Sequence, residues 1–220
     1  MKYSFLATLL LMLLANACKK ADNNFNARIS FLNGGIGAEP ITIKLNDNIV
    51  ISKDSFGVLK KLTTVPSGTF KVGFFSGANT LASFAINTNL ESGRDYTLFL
   101  YDSVSMGKIF LQKDVLPEKV TEGKCAIRFF SLIPNTVNLL LQNDTAKRFI
   151  TGKSFGTYSN AFEEADTTSR QIQIKEFGAV AAIDSFIKPL VAGKIYTIFL
   201  TGSIGGTGTQ KPKMFFWDHN

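Results

Sequence analysis

Two patterns of apolar and polar positions recur along this chain. In "ITIKL", Ile41, Ile43 and Leu45 alternate with Thr42 and Lys44, the period-two signature of a strand with one buried face. In "YTLFLY", Tyr96 to Tyr101, apolar residues occupy both faces, as in a central strand covered on both sides. Segments of these kinds predict strands over 28–32, 41–45, 49–51, 58–62, 69–75, 81–86, 96–101 and 108–112. The turn sequences "NGGIG", "NDN", "PSG" and "ESG" separate them. The second half repeats the set, from 126–131 to 214–217. Beyond the first residues, no window has a long apolar period of 3.6, so the pattern predicts an all-β protein.

The halves also match residue by residue. "DYTLFL" from Asp95 returns as "IYTIFL" from Ile195. Leu90 and Gly93 match Leu190 and Gly193, Ser55-Phe56-Gly57 matches Ser154-Phe155-Gly156, and Ile29 and Phe31 match Ile127 and Phe129. The spacing widens by single residues along the pair, as small loop insertions would cause. A period of about 100 residues is too long for a solenoid unit and has the size of an immunoglobulin-type sandwich. The expected organisation is two tandem immunoglobulin-like β-sandwich domains, 27–120 and 121–220. They meet in "LPEKVTEGK", which is polar and carries Pro117 and Gly123.

The first residues are of a different kind. Lys2 is followed by an almost wholly apolar run from Tyr3 to Ala17. That run is short for a bilayer span, which takes about 20 residues, and suits a signal peptide over 1–17. Ala15-Asn16-Ala17 places small residues where a signal peptidase reads, and Cys18 follows. "LLANAC" resembles a bacterial lipobox, whose cysteine receives a diacylglycerol, although Ala15 stands where an aliphatic residue is usual. The resemblance implies lipidation at Cys18 and a polar tether over 18–26. An ordinary cleavage between Ala17 and Cys18 is the alternative. The chain has two cysteines. With Cys18 lipidated, Cys125 in "KCAIRFF" is a free, buried, hydrophobe-like thiol; a Cys18–Cys125 disulfide is the other possibility.

Taken together, the "ARISFLN" strand, the "ITIKLNDNIV" hairpin, the "SFG" step and the glycine-to-"YT" strand resemble the domain of unknown function 4397 family, a β-sandwich module often found in tandem. All four marks occur in both halves, the hairpin only loosely as "VNLLLQNDTA". Tandem copies behind a lipobox look like Bacteroidota envelope lipoproteins. The resemblance implies a fold and a setting at the outer membrane, and no activity. Lys19 and Lys20 differ from the acidic residues that favour outward export, so the periplasmic or surface face stays open.

Charge adds little. The chain carries +7, of which the leader holds only Lys2, and its basic runs are pairs such as Lys60-Lys61 and Lys147-Arg148. A nucleic-acid binder concentrates charge on one face with stacking aromatics, so no nucleic-acid partner is expected. The 20 Phe against 5 Tyr and 1 Trp point to core, because Phe has no polar handle.

Candidate chemistry is sparse. His219, the one histidine, is next to the last residue, a frayed position that suits neither a triad nor zinc. "GSIGGTGTQK" lacks the spacing and following helix of a phosphate loop and is expected to be a hairpin loop. Glu163, Glu164 and Asp166 read as a solvated loop. Phe56 and Phe155 of the "SFG" steps read as packed rings beside a glycine of unusual backbone angle. Trp217 and Tyr158 are the candidate ligand-binding residues, as amphipathic rings able to face a sugar; alternation sets Phe215 and Trp217 on one face and Phe216 on the other, which also suits a core role. No catalytic residue, cofactor or metal is expected. The reading is a non-catalytic, lipid-anchored envelope protein with a binding or structural role. Its membrane partner is reached through the lipid, and a glycan or envelope protein is the other partner class. The alternatives are a glycan-binding accessory lipoprotein of a polysaccharide-uptake system, a surface adhesion or assembly subunit, and a hydrolase.

Overall fold

The computed structural model describes residues 26–35, 40–76, 79–101, 108–136, 138–143, 146–156, 161–167 and 171–219. The leader, Cys18, most of the tether and Tyr158 lie outside them. The fold is all-β and sandwich-like, with sixteen strands and one turn of 3-10 helix (Gly208–Gln210) among the described residues. The first eight strands are β1 (Asn26–Asn33), β2 (Ile41–Leu45), β3 (Asn48–Asp54), β4 (Leu59–Pro66), β5 (Gly68–Ser76), β6 (Asn79–Leu90), β7 (Asp95–Tyr101) and β8 (Lys108–Lys113). The last eight are β9 (Lys124–Ser131), β10 (Leu139–Asn143), β11 (Arg148–Lys153), β12 (Glu163–Asp166), β13 (Gln171–Glu176), β14 (Asp184–Ile187), β15 (Ile195–Thr201) and β16 (Lys213–Asp218).

Every strand expected in the first half forms, and several run longer. β3 extends to Asp54, β4 to Pro66 and β6 from Asn79 to Leu90. These are edge strands, whose polar ends carry no apolar period to read. Pro66 sits at the end of β4 opposite Asn26, where a missing N–H costs little.

The sequence repeat is a repeat of topology. The sheets run β4-β1-β7-β8 and β3-β2-β5-β6 in the first half, and β12-β9-β15-β16 and β11-β10-β13-β14 in the second. Adding eight to each strand number converts one half into the other. In both, the first strand lies parallel to the seventh and antiparallel to the fourth, with Ile29 beside Tyr96 and Ile127 beside Tyr196. The constant immunoglobulin arrangement instead sets its first strand beside its second.

Alternation decides what each strand buries. Ile41, Ile43 and Leu45 are buried and meet Ala27, Ile29, Phe31, Phe74, Leu98 and Leu100 between the first two sheets. Cys125, Ile127, Phe129, Leu139, Ile172, Ile198 and Leu200 fill the same space in the second half. Each such side chain contributes roughly 1.5–3 kcal/mol on burial. The tyrosines of "DYTLFL" and "IYTIFL" have a reason not to be Phe. Tyr96 Oη accepts the Glu91 N–H at 2.9 Å, and Tyr196 Oη accepts the Val191 N–H at 3.3 Å. Each ring thus ties its strand to the turn before it.

The other faces of β1, β7, β9 and β15 meet one another. Leu32, Phe99 and Tyr101 pack against Phe130, Leu132, Phe199 and Trp217 in a third apolar cluster between the halves. The Phe99 ring lies 5.3 Å from Phe199 and 5.5 Å from Phe130, centroid to centroid. Phe99 and Phe199 are equivalent positions of the repeat, as are Gly34 and Leu132, which also touch. The contact is therefore close to two-fold symmetric, with equivalent patches facing each other. The "SFG" glycine belongs to this seam: Gly57 has φ +72°, and a Cβ there would stand 2.6 Å from Phe215 Cζ. Both the positive φ and the close ring call for glycine. Phe155 packs edge-on against Tyr101 across the same seam, at 5.5 Å.

Candidate functional site

A polar network sits at one end of the seam. Arg128 lies in the doubly covered strand β9 and is 1% exposed. Its Nη2 pairs with Asp114 Oδ1 of the other half, and both side chains are almost wholly buried. Thr97 Oγ1 donates to Asp114 Oδ2 at 2.7 Å, and Arg128 Nε donates to Thr197 Oγ1 at 2.7 Å. The Thr197 hydroxyl also shares a hydrogen bond with His219 Nε2, 2.7 Å away. Arg128 Cζ also stands over the Phe130 and Phe162 rings, at 5.2 and 4.9 Å. Its Nη1 is buried with no hydrogen-bond partner among the described residues.

The network follows the repeat. Thr97 and Thr197 occupy equivalent positions, and so do Asp114 and His219. The Asp114 N–H donates to Asp95 O at 2.8 Å, and the His219 N–H donates to Ile195 O at 3.0 Å. His219 is therefore not frayed, contrary to its place in the sequence: it continues the β16 ladder and stacks on Trp217 at 4.0 Å. Burial first, then the Arg128 charge, pushes its imidazole down to about 3. The ring is therefore neutral at physiological pH. Burial raises the Asp114 carboxyl and lowers the Arg128 guanidinium, while each partner pulls the other back.

A cleft of about 380 Å³ opens beside this network, with Arg28, Lys61, Asp95, Trp217, Asp218 and His219 among its walls. Its walls carry both signs of charge, and the carboxylates are engaged: Arg28 holds Asp95 through two bonds of 2.7 and 2.6 Å, Arg128 holds Asp114, and Lys194 stands 3.5 Å from Asp218. Trp217 reaches the cleft only by an edge. It is 4% exposed, with Phe215 beside it on the seam face and Phe216 on the core face. The expected alternation of this strand holds, but the open aromatic platform a sugar would need is absent at Trp217, because the first half covers the ring.

The remaining candidates fall elsewhere. Glu163, Glu164 and Asp166 form the short edge strand β12, not a loop, because they pair with Lys124–Ile127. Asp166 is held by Lys124 and Lys147, which depress its carboxyl to about 2, and Glu164 Oε1 accepts the Thr121 N–H at 2.9 Å. No group of three His, Cys, Asp or Glu among the described residues is placed to hold a metal ion. "GSIGGTGTQK" is the hairpin loop between β15 and β16. Cys125 is free and fully buried, its Sγ 3.5 Å from Ala165 O, and burial raises the thiol to about 11.

Asp54, at the end of β3, is the other buried charge. Neither carboxylate oxygen has a hydrogen-bond partner among the described residues, and Lys60 Nζ lies 3.9 Å away. Burial raises it from 3.8 to about 6, with Lys60 and the Ser55 amide pulling the other way. A carboxyl raised in the fold stabilises it fully below the unfolded value and loses that contribution as pH rises through the folded one. Asp54→Asn is therefore expected to raise stability at pH 7 by on the order of 2 kcal/mol. The gain vanishes near pH 4, as urea unfolding at the two pH values would read.

Sequence reasoning missed Asp114, Arg128, Thr97 and Thr197. The signal was present: an arginine inside "CAIRFFS", apolar on both faces, requires a buried partner. A threonine at the same place in two apolar strands marks the other side of the network. Comparison with protein-family models finds no match for this chain, and comparison with curated proteins finds none either.

Proposed function

We propose that this chain is a non-catalytic, lipid-anchored protein of the bacterial cell envelope, whose two tandem sandwich domains work as one binding or structural unit. The observation that carries the reading is the seam. Two Phe-rich sheet faces, which separate domains would expose, cover each other and are tied by a buried ion pair. The unit is thus built to hold its two sets of end loops in fixed relation, and binding belongs to those loops. The polar network supports a clamp over a reaction centre, since His219 is already bonded to Thr197 and Asp114 is engaged by Arg128 and Thr97. The anchor rests on "LLANAC", and the resemblance to the family of unknown function rests on the repeated sequence marks.

Cys18→Ser is expected to abolish incorporation of radiolabelled palmitate into the chain and to leave the leader uncut at that site. Labelling of the serine variant as strong as that of the wild type would remove the anchor from this reading. Assembly into a larger envelope structure is the second reading, and β14 favours it: this edge strand exposes Phe186 and Ile187, the latter 79% accessible. Discrete larger species after cross-linking in cells would support that reading.

A further inference from the structure

The seam has a second cleft, at the end away from Asn26. β16 enters the first cleft at Asp218, beside Arg28 near the start of β1. Its other end, Lys213, lies roughly 17 Å along the strand. There Phe56, Gly57 and Val58 of the first half face Lys211, Lys213 and Phe215 of the second across about 520 Å³. The two clefts differ in charge. The cleft beside Arg28 holds both signs, three carboxylates among them. The walls described here contain two lysines and no carboxylate. Lys211 is exposed, and Lys213 Nζ rides 5.1 Å above the Phe215 ring.

We propose that this cleft binds an acidic polysaccharide, with Lys211 and Lys213 meeting its carboxylates and Phe56, Val58 and Phe215 lying under the apolar faces of its sugar rings. The inference deepens the binding role proposed above and rests on it. Cations without acidic neighbours select an anion. Partly exposed rings beside them suit a ligand that is polar at its rim and apolar on its faces. An acidic peptide is the rival occupant, and it would dock most strongly by adding a strand to the β16 edge. At the Lys213 end of that edge one of the outward donors is already taken, because Asp184 Oδ2 accepts the Met214 N–H at 2.6 Å. The cleft lies by the far end of β1, where the Gly57 N–H meets Asn33 O, opposite Asn26 at its start.

The test uses the purified full-length chain in non-ionic detergent, with polygalacturonate, neutral dextran and polyglutamate as probes. Binding to polygalacturonate is expected to fall at least tenfold in Lys211→Gln/Lys213→Gln. It should stay within twofold of wild type in Lys71→Gln/Lys119→Gln, which loses the same charge elsewhere on the surface. Equal loss in both double variants, or loss in neither, overturns the site. Binding of polyglutamate as tight as that of polygalacturonate, with the same dependence on Lys211 and Lys213, overturns the ligand class in favour of a peptide. Dextran binding as tight as polygalacturonate binding overturns the role of charge. A chain that Cys18 holds in the membrane and that binds no polygalacturonate loses this inference alone, and the envelope reading stands.

Discussion

Arg128→Met is expected to lower the unfolding free energy by about 3–5 kcal/mol at pH 7, because it leaves Asp114 buried without its counter-charge. Urea unfolding measures it. The carboxyl is 1% exposed and keeps only the Thr97 hydroxyl. Burial already raises it above the ordinary carboxylate range, and losing the guanidinium raises it further. A group shifted that way destabilises the fold where it must be charged, so the loss should shrink as the pH falls from 7 towards 4. Arg128→Met/Asp114→Leu is expected to return to within about 1 kcal/mol of wild type, since a matched apolar pair needs no compensation. A single variant as stable as wild type at pH 7 would mean that water reaches Asp114 and that the halves are not closed at this end.

Phe99→Ala tests the other end of the same argument. The ring stands on the outward face of β7, 6.0 Å from Phe110 in its own half and closer to Phe130 and Phe199 in the other. If the halves pack as one unit, its removal opens a cavity in a closed cluster and costs about 3–5 kcal/mol. If they were separate bodies, Phe99 would be a surface residue and the change would be near neutral. A single cooperative transition in wild type and a large loss in the variant are the expected pair of results. Two resolved transitions, only one of them moved by the substitution, would show the halves unfolding independently.

The sequence made the strands and their inner faces legible because alternation is a local signal. Ile41, Ile43 and Leu45 announce their burial by spacing alone, and the doubly apolar "YTLFLY" announces a strand covered on both sides. What covers the second side was not legible. Nothing in Tyr96–Tyr101 says whether its outer face meets a helix, a membrane, another chain or a copy of itself further along. The repeat held a clue, since two equivalent apolar faces on one chain can satisfy each other. Alternation left Trp217 open between a ligand contact and a core ring, and it is 4% exposed. His219 was misjudged: its place near the end of the chain suggested fraying, while its bond to Ile195 and the Phe162 and Trp217 rings hold it. Asp114 sits in the short step between the last strand expected in the first half and the polar linker, and its partner Arg128 comes from the neighbouring repeat.

The place of β1 has a mechanical consequence. β1 begins at Asn26 and is bonded along nearly its whole length to β4 on one side and β7 on the other. A load applied at Asn26 and resisted at the far cleft would pull β1 along its own axis. Both ladders would then be sheared at once, and no bond could open before its neighbours, as it would if the strand were peeled from an edge. The strand at the centre of the first sheet is thus aligned to bear tension applied at its start.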